Sequence, residues 1–106
     1  IALAQRYDKI RWVLAHSGNS AQGQKQAVEA AGVCPNIYLE TCTSFGEHGT
    51  IEYLVEGAGP DRVLYGSDIP IMDPRLQVGR IVTAEIPDET KRKILGLNAI
   101  RLLGLD

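Results

Sequence analysis

Three side chains that could do acid–base or metal chemistry stand at the ends of short apolar runs in this sequence: His16, Glu40 and Asp68. Asp68 is the most informative of them, because the apolar run Arg62–Tyr65 gives way abruptly to a glycine, a serine and then this carboxylate. In α/β proteins the chemistry lies at the carboxyl ends of parallel strands. A histidine and an aspartate that meet at such an edge can ligate a divalent metal, or can move protons to and from a bound water.

Each of these residues also has a purely structural interpretation. His16 could cap the turn that follows it, and Glu40 could face solvent or a neighbouring strand. Asp68 could form an Asx turn, which is a common role for Asp shortly before Pro. His48 is predicted to lie on the surface at the start of a helix.

The elements that would position these residues alternate along the chain. The predicted strands are Arg11–Ala15, Asn36–Glu40 and Arg62–Tyr65. The predicted helices are Ser20–Ala31, Thr50–Glu56, Asp73–Ala84 and a final helical stretch that begins at Pro87. Strands separated by helices predict an α/β fold with parallel pairing, so the three strand tips would share one edge.

Glycine and asparagine suggest where the helices end. Gly32 is predicted to stop the first long helix just outside its last turn. Gly57 and Gly59–Pro60 are predicted to end the second, while Gly96 and Asn98 mark a break or recap in the final helical stretch.

Composition narrows the class of protein. Hydrophobic residues make up 44% and charged residues 23% of the 106-residue chain, as in an ordinary soluble globular domain. A net charge of −2 gives no indication of nucleic-acid or anionic membrane binding. No apolar run approaches the roughly 20 residues of a membrane span. Cys34 and Cys42 lack zinc or disulfide spacing, so we expect reduced cysteines and a cytoplasmic protein.

Four segments, in order, resemble the amidohydrolase-2 family of metal-dependent hydrolases and decarboxylases. Trp12–Gly18 is similar to the sixth strand of the family's barrel, Asn36–Thr41 to the seventh and Asp61–Pro70 to the eighth. Lys93–Leu105 resembles the closing helix. The eighth-strand match is the most specific, and the four together cover essentially the whole chain.

The resemblance implies a fold, a cofactor and two site residues. Residues 1–106 would be the carboxyl-terminal part, about strands six to eight, of a parallel TIM (β/α)₈ barrel. Asp68 would be the strand-eight metal ligand and would take protons from metal-bound water. His16 would polarise a small-molecule substrate or help to activate the water. The metal would be a divalent ion, with zinc expected.

The sequence departs from the family pattern in its histidines. The family's barrel begins with an H-x-H pair, whereas this chain contains only His16 and His48. Asp68 is one ligand where a catalytic zinc usually has three from protein. The chain, which opens on Ile1 in the manner of a helix interior, is therefore expected to be a fragment and inactive alone. We expect it to associate with itself or with the missing barrel segment.

Several functions stay open at this level. A metal-dependent hydrolase is expected first, and a related decarboxylase is the alternative on the same scaffold. A non-catalytic truncated barrel that binds a partner or assembles is a third possibility. A small doubly wound domain could instead bind phosphate at the Ser17–Ser20 turn, although the turn lacks the usual glycine spacing.

Overall fold

The fold is a three-stranded parallel sheet with helices between the strands, which confirms the predicted α/β class. A computed structural model describes residues 1–17 and 19–105. The strands, in sheet order, are β1 (Trp12–Leu14), β2 (Ile37–Glu40) and β3 (Val63–Leu64). The helices are α1 (Ala2–Arg6), α2 (Ala21–Val33), α3 (Thr50–Ala58), α4 (Pro74–Val82), α5 (Asp88–Arg92) and α6 (Asn98–Leu103), with a π-helical segment (Lys93–Leu97) joining the last two.

Helix α2 begins where its sequence signals predict but ends later. The Ser20 side chain accepts a hydrogen bond from the Gly23 amide at 3.0 Å, so Ser20 is the N-cap. Gly32 lies inside the helix, which continues to Val33, so the predicted stop at Gly32 is wrong. The buried residues of α2 are three alanines, Ala27, Ala30 and Ala31, together with Gln24.

Strand β2 is the centre of the sheet and shows the alternation of a strand with one covered face. Ile37 and Leu39 are buried, whereas Tyr38 and Glu40 are half-buried. Leu39 pairs in register with Val63 of β3, and both side chains are inaccessible to solvent. The helices therefore cover one face of the sheet. On the opposite face Val13 of β1, which pairs with Tyr38, is 45% exposed.

Buried polar side chains hold the amino end of the sheet together. The Arg62 guanidinium donates through Nη1 to the carbonyl oxygens of Ala31 at 2.8 Å and Cys34 at 3.0 Å. The Asn98 amide is fully buried and donates to the carbonyl oxygens of Pro60 at 2.8 Å and Val63 at 2.9 Å. These bonds tie the end of α2 and the turns before β2 and β3 to one another, and the Cys34 carbonyl also accepts the Ile37 amide at 3.1 Å.

The final helical stretch changes its helix type where the sequence predicts a break or recap: Gly96 lies in the π-helical segment and Asn98 begins α6. Residues 88–103 follow one another as α5, the π-helical segment and α6 without a non-helical residue between them. The extra residue of a π-helical turn shifts the face that the following helix presents. Asn98 lies at the start of α6 with its amide directed at β3. None of the helices described at residues 1–17 and 19–105 is long and apolar enough to cross a membrane.

Gly57 is a packing position and not a helix stop. It lies inside α3, and a Cβ atom there would collide with the Val28 side chain of α2. Gly59 is the residue at which α3 ends, with a left-handed φ of 86°. A β-branched valine has little rotamer freedom within a helix, so it cannot easily make room.

We therefore expect opposite effects from two Gly→Ala substitutions within helices. Gly57→Ala should destabilise the fold, because overpacking costs about 1–3 kcal/mol and outweighs the gain in helix propensity of about 1 kcal/mol. Gly32→Ala, where no atom lies within 4 Å of an added Cβ, should stabilise it by about 0.5–1 kcal/mol. Chemical denaturation followed by circular dichroism measures both. Equal changes in the two variants would contradict the packing role of Gly57.

Candidate functional site

His16 lies just beyond β1 in an unusual backbone conformation. Its φ is 55°, in the left-handed region that residues other than glycine seldom adopt. Its backbone N–H donates to Glu40 Oε2 at 2.9 Å. Its ring Nδ1 lies 2.8 Å from the carbonyl oxygen of Cys42, which can only accept, so Nδ1 carries the proton. With the proton on Nδ1, the neutral form of the ring has its lone pair on Nε2.

Asp68 lies beyond β3 and has the same backbone feature. Its φ is 56°, and within residues 1–17 and 19–105 it and His16 are the non-glycine residues with positive φ. The amides of Ile71 and Met72 donate to its main-chain oxygen at 2.9 and 3.0 Å. The side chain is half-buried, and no hydrogen bond from the described residues holds its carboxylate. The Asx-turn interpretation is therefore not what the structure has.

Glu40 joins the end of β2 to its neighbours. Its Oε2 accepts the His16 amide, and its Oε1 accepts the Cys42 amide at 2.6 Å. Its main-chain oxygen accepts the Ser17 amide at 3.0 Å, which extends the pairing with β1. Of the two structural interpretations offered by the sequence, contact with the neighbouring strand is the one observed.

The thiol of Cys42 is buried beside the negative charges of this edge. Cys42 is 1% exposed. Burial raises the pKa of the Cys42 thiol, and the carboxylates of Glu40 and Asp68 raise it further. The site residues after β2 and β3 therefore share one electrostatic environment. A raised pKa keeps the thiol protonated and unreactive at neutral pH.

The cation at this site is Arg80 of α4, which sequence reasoning missed. Burial lowers the pKa of the Arg80 guanidinium, while Cys42 and Glu40 oppose that change. Its Nη1 donates to the Thr41 carbonyl at 2.7 Å and to Gln77 Oε1 at 2.9 Å. Gln77, 2% exposed, donates in turn to the Thr43 carbonyl at 2.9 Å. Helix α4 thus anchors the segment after β2.

A signal for this anchor exists in the sequence. Gln77 and Ile81 stand four residues apart on the same face of α4, and both are buried. A polar residue in the apolar period of a helix needs a hydrogen-bond partner inside the fold. The pattern could have marked Gln77 as an anchor, but not which carbonyl group it meets.

The structure brings too few ligands together to form a metal centre from this chain. Among the residues described, no group of three or more His, Cys, Asp and Glu side chains is placed to hold a metal ion. Within residues 1–17 and 19–105, no hydrogen bond engages the Asp68 carboxylate or Nε2 of His16. Both oxygens of Glu40 are occupied by backbone N–H groups. Any metal here would therefore need ligands from outside the described residues.

A cavity of about 280 Å³ lies beside His16, bounded by Leu14–Ser17 and by Gly23, Gln26 and Ala27 of α2. The Ser17 hydroxyl donates to the Leu14 carbonyl at 2.7 Å, and the Ser20 hydroxyl caps α2. The Ser17 hydroxyl is thus engaged as a donor, whereas the Ser20 hydroxyl only accepts from Gly23. Gly18 of the turn suggested for phosphate lies outside the described residues.

Comparison with protein families finds one match over nearly the whole chain. The sequence model of the family described as Amidohydrolase matches residues 1–105 of this chain. A search among curated proteins finds no match.

Solved structures with the same fold include three decarboxylases. A 5-carboxyvanillate decarboxylase from Sphingomonas paucimobilis matches with a TM-score of 0.71 and 24% identity, over 94% of this chain and 35% of that one. A 2,6-dihydroxybenzoate decarboxylase from Rhizobium matches with a TM-score of 0.75 and 18% identity, over 98% of this chain and 38% of that one. A dihydroxybenzoic acid decarboxylase from Polaromonas, solved with manganese and 2-nitroresorcinol, matches with a TM-score of 0.73 and 19% identity, over 97% of this chain and 36% of that one.

The chain spans little more than a third of the length of these three neighbours. At this level of identity the likeness concerns the fold. It confirms the predicted fold class, a parallel α/β portion of a TIM barrel.

The anchoring of the segment after β2 can be tested through Cys42. In a Cys34→Ala background, which leaves one thiol, we expect Cys42 to react with a disulfide reagent more than about tenfold slower than in urea. Because the pKa is raised, the rate should begin to climb at a higher pH than for a free cysteine. Gln77→Ala should speed the reaction by releasing the segment, and the exposed control Gln26→Ala should not. Fast labelling of the unmutated fold would contradict this.

Proposed function

The chain belongs to the amidohydrolase family, and from that membership we propose that it forms the proton-transfer side of the active site of a metal-dependent enzyme. The observation that carries the proposal is the backbone conformation that His16 and Asp68 share at the same edge of the sheet. Both stand at strand ends in left-handed conformations, and both keep a reactive atom free. Strained backbone at residues other than glycine is concentrated at functional sites.

His16 would act through Nε2. With Nδ1–H bonded to the Cys42 carbonyl, the ring has a fixed orientation and tautomer. Nε2 can accept a proton from the substrate or, once the ring is protonated, donate one to developing negative charge. The hydrogen bond at Nδ1 persists in both states, because that nitrogen keeps its proton throughout.

Asp68 would hold the metal and receive a proton. A divalent ion supplies polarisation of the substrate and of bound water. The unengaged carboxylate of Asp68 is the group in this chain best suited to ligate it, with the other ligands coming from outside the described residues. We propose a divalent metal without restricting it to zinc, since the Polaromonas neighbour was solved with manganese.

The first candidate reaction is hydrolysis of a carbon–nitrogen, ester or lactone bond in a small molecule. Asp68 would take the proton of the attacking water, and His16, with its ring protonated at Nε2 as well, would stabilise the charge that develops on the substrate oxygen. Each role uses a group whose free atom lies on the same edge of the sheet.

The second candidate is decarboxylation of a hydroxylated aromatic acid. The three neighbours named above are decarboxylases of such acids, which favours this reaction although their likeness concerns the fold. Here a proton must be delivered to the ring carbon that loses carbon dioxide. Ile69 and Ile71 beside Asp68 are 66% and 83% exposed, and such apolar groups suit an aromatic substrate.

The first experiment uses the complete protein, loaded with zinc or with manganese. Asp68→Asn should reduce kcat by about 10²–10⁴-fold, because the amide can neither take a proton nor replace the carboxylate charge. The exposed control Asp88→Asn in α5 should keep its activity. Amide and lactone substrates tested beside dihydroxybenzoates separate the two candidate reactions. Full activity in Asp68→Asn would contradict the proposed role.

A second experiment concerns partners. We propose that the open face and edge of β1 pack against the other barrel strands in the complete protein. The chain on its own should therefore self-associate, because unpaired strand edges pair with other chains. Sedimentation should show oligomers that Val13→Lys weakens, while Val33→Lys, equally exposed at the end of α2, does not. A monomer at every concentration would contradict this.

A further inference from the structure

We infer that Glu40 is a positioning residue that fixes the conformation of His16, and that the absence of a side chain at Gly66 makes room for it. This inference deepens the proposed function and rests on it for the role of His16. The contacts themselves are independent of that role, so they can be tested even if the reaction proves different.

The first step is the pair of backbone donors that meet at the Glu40 carboxylate. His16 donates to Oε2 at 2.9 Å, and Cys42 donates to Oε1 at 2.6 Å. Hydrogen bonds to an ionised carboxylate are shorter and stronger than those between neutral groups. A left-handed backbone at a histidine is unfavourable, so a strong bond at its N–H group stabilises a conformation that the residue would otherwise leave.

The second step is that the same carboxylate also controls the imidazole ring. His16 Nδ1 donates to the Cys42 carbonyl at 2.8 Å, and the Cys42 amide is held by Glu40. Main chain and ring of His16 are thus tied, one directly and one through Cys42, to a single side chain. The direction of Nε2 follows from both ties, which makes Glu40 the residue on which that direction depends.

The third step is the contact with the end of β3. A Cβ atom at Gly66 would collide with the Glu40 carboxylate, whose Oε1, Cδ and Cγ atoms are its three nearest neighbours. Gly66 has no positive φ of its own, so its backbone does not require glycine. The close approach of Glu40 does. Because Gly66 stands two residues before Asp68, one carboxylate lies against the segments that carry both candidate catalytic residues.

A direct chemical role for Glu40 fits these contacts less well. Both of its oxygens already accept backbone N–H groups, and ligating a metal or taking a proton would require at least one of them to leave. Asp68, whose carboxylate no described residue holds, needs no such rearrangement.

Glu40→Gln tests the positioning role, because the amide has nearly the same shape but offers one acceptor and one donor. Its NH₂ group would face an N–H donor, so one of the two bonds is lost. In the complete metal-loaded enzyme we expect kcat to fall by about 10- to 100-fold with KM and metal content little changed. The exposed control Glu29→Gln in α2 should behave as the unmutated enzyme. Unchanged kcat in Glu40→Gln would overturn the inference.

A second measurement does not depend on activity. In the chain without substitution, the His16 and Cys42 amides should exchange with deuterium slowly, although His16 is exposed. In Glu40→Gln at least one of them should lose that protection. Exchange of both amides at the rate of an unstructured peptide in the unmutated chain would overturn the inference, even if the variant does not fold.

A double-mutant cycle tests the contact with Gly66. Gly66→Ala should strongly lower thermal stability when Glu40 is present and lower it much less in a Glu40→Ala background, where the carboxylate is gone. Equal losses in both backgrounds would overturn the proposed close approach. If the complete protein has no activity in any assay while these two measurements behave as expected, the proposed function fails and the positioning contacts stand.

Discussion

The strands of this sheet are two to four residues long, so few ladder hydrogen bonds hold them and side chains must satisfy the adjoining main chain. At the amino end Arg62 and Asn98 donate to carbonyl groups of the segments that lead into β2 and β3. At the carboxyl end Gln77 and Arg80 donate to the carbonyl groups that follow β2. The sheet depends on these long-range side-chain bonds, because unsatisfied buried carbonyl groups would oppose folding.

The same constraint acts at the candidate site, where the main chain offers N–H donors and needs a side-chain acceptor. Where the carboxyl end needs an acceptor, a carboxylate supplies one, and the amides of His16 and Cys42 converge on Glu40. The negative charge that this requires lies near the buried Cys42 thiol and near Arg80. Structural satisfaction of the main chain and the electrostatics of the site are therefore properties of the same few side chains.

Local features of the sequence predicted local structure well. The alternation of strands and helices indicated the fold class. The helices predicted to begin at Ser20 and Asp73 do so, with these residues as N-caps, because capping involves only the next few residues. Gly57 was misread, since a glycine that admits Val28 of another helix looks the same in sequence as one that ends a helix. For the same reason the sequence does not show what the Asn98 amide binds, since its partners lie 35 and 38 residues away.

The site was predicted to the extent that strand order determines it. Parallel strands bring His16 and Asp68 to one edge, and this follows from the sequence. The ties through Glu40 do not, because they depend on the carboxylate turning back over Gly66 toward β1. The anchoring by Arg80 depends likewise on how α4 lies across the end of β2.

The left-handed backbone at both His16 and Asp68 lowers the stability of the fold, whereas the proposed chemistry needs the side chains at these two positions. Glycine would relax the backbone there at no steric cost, yet it would remove the imidazole or the carboxylate. Selection for folding alone would therefore erode the proposed site, and on the proposed function selection for activity would have to oppose it. A copy of this segment without that proposed role would be expected to drift toward glycine or asparagine at these two positions first, while the rest of the sheet stayed as it is.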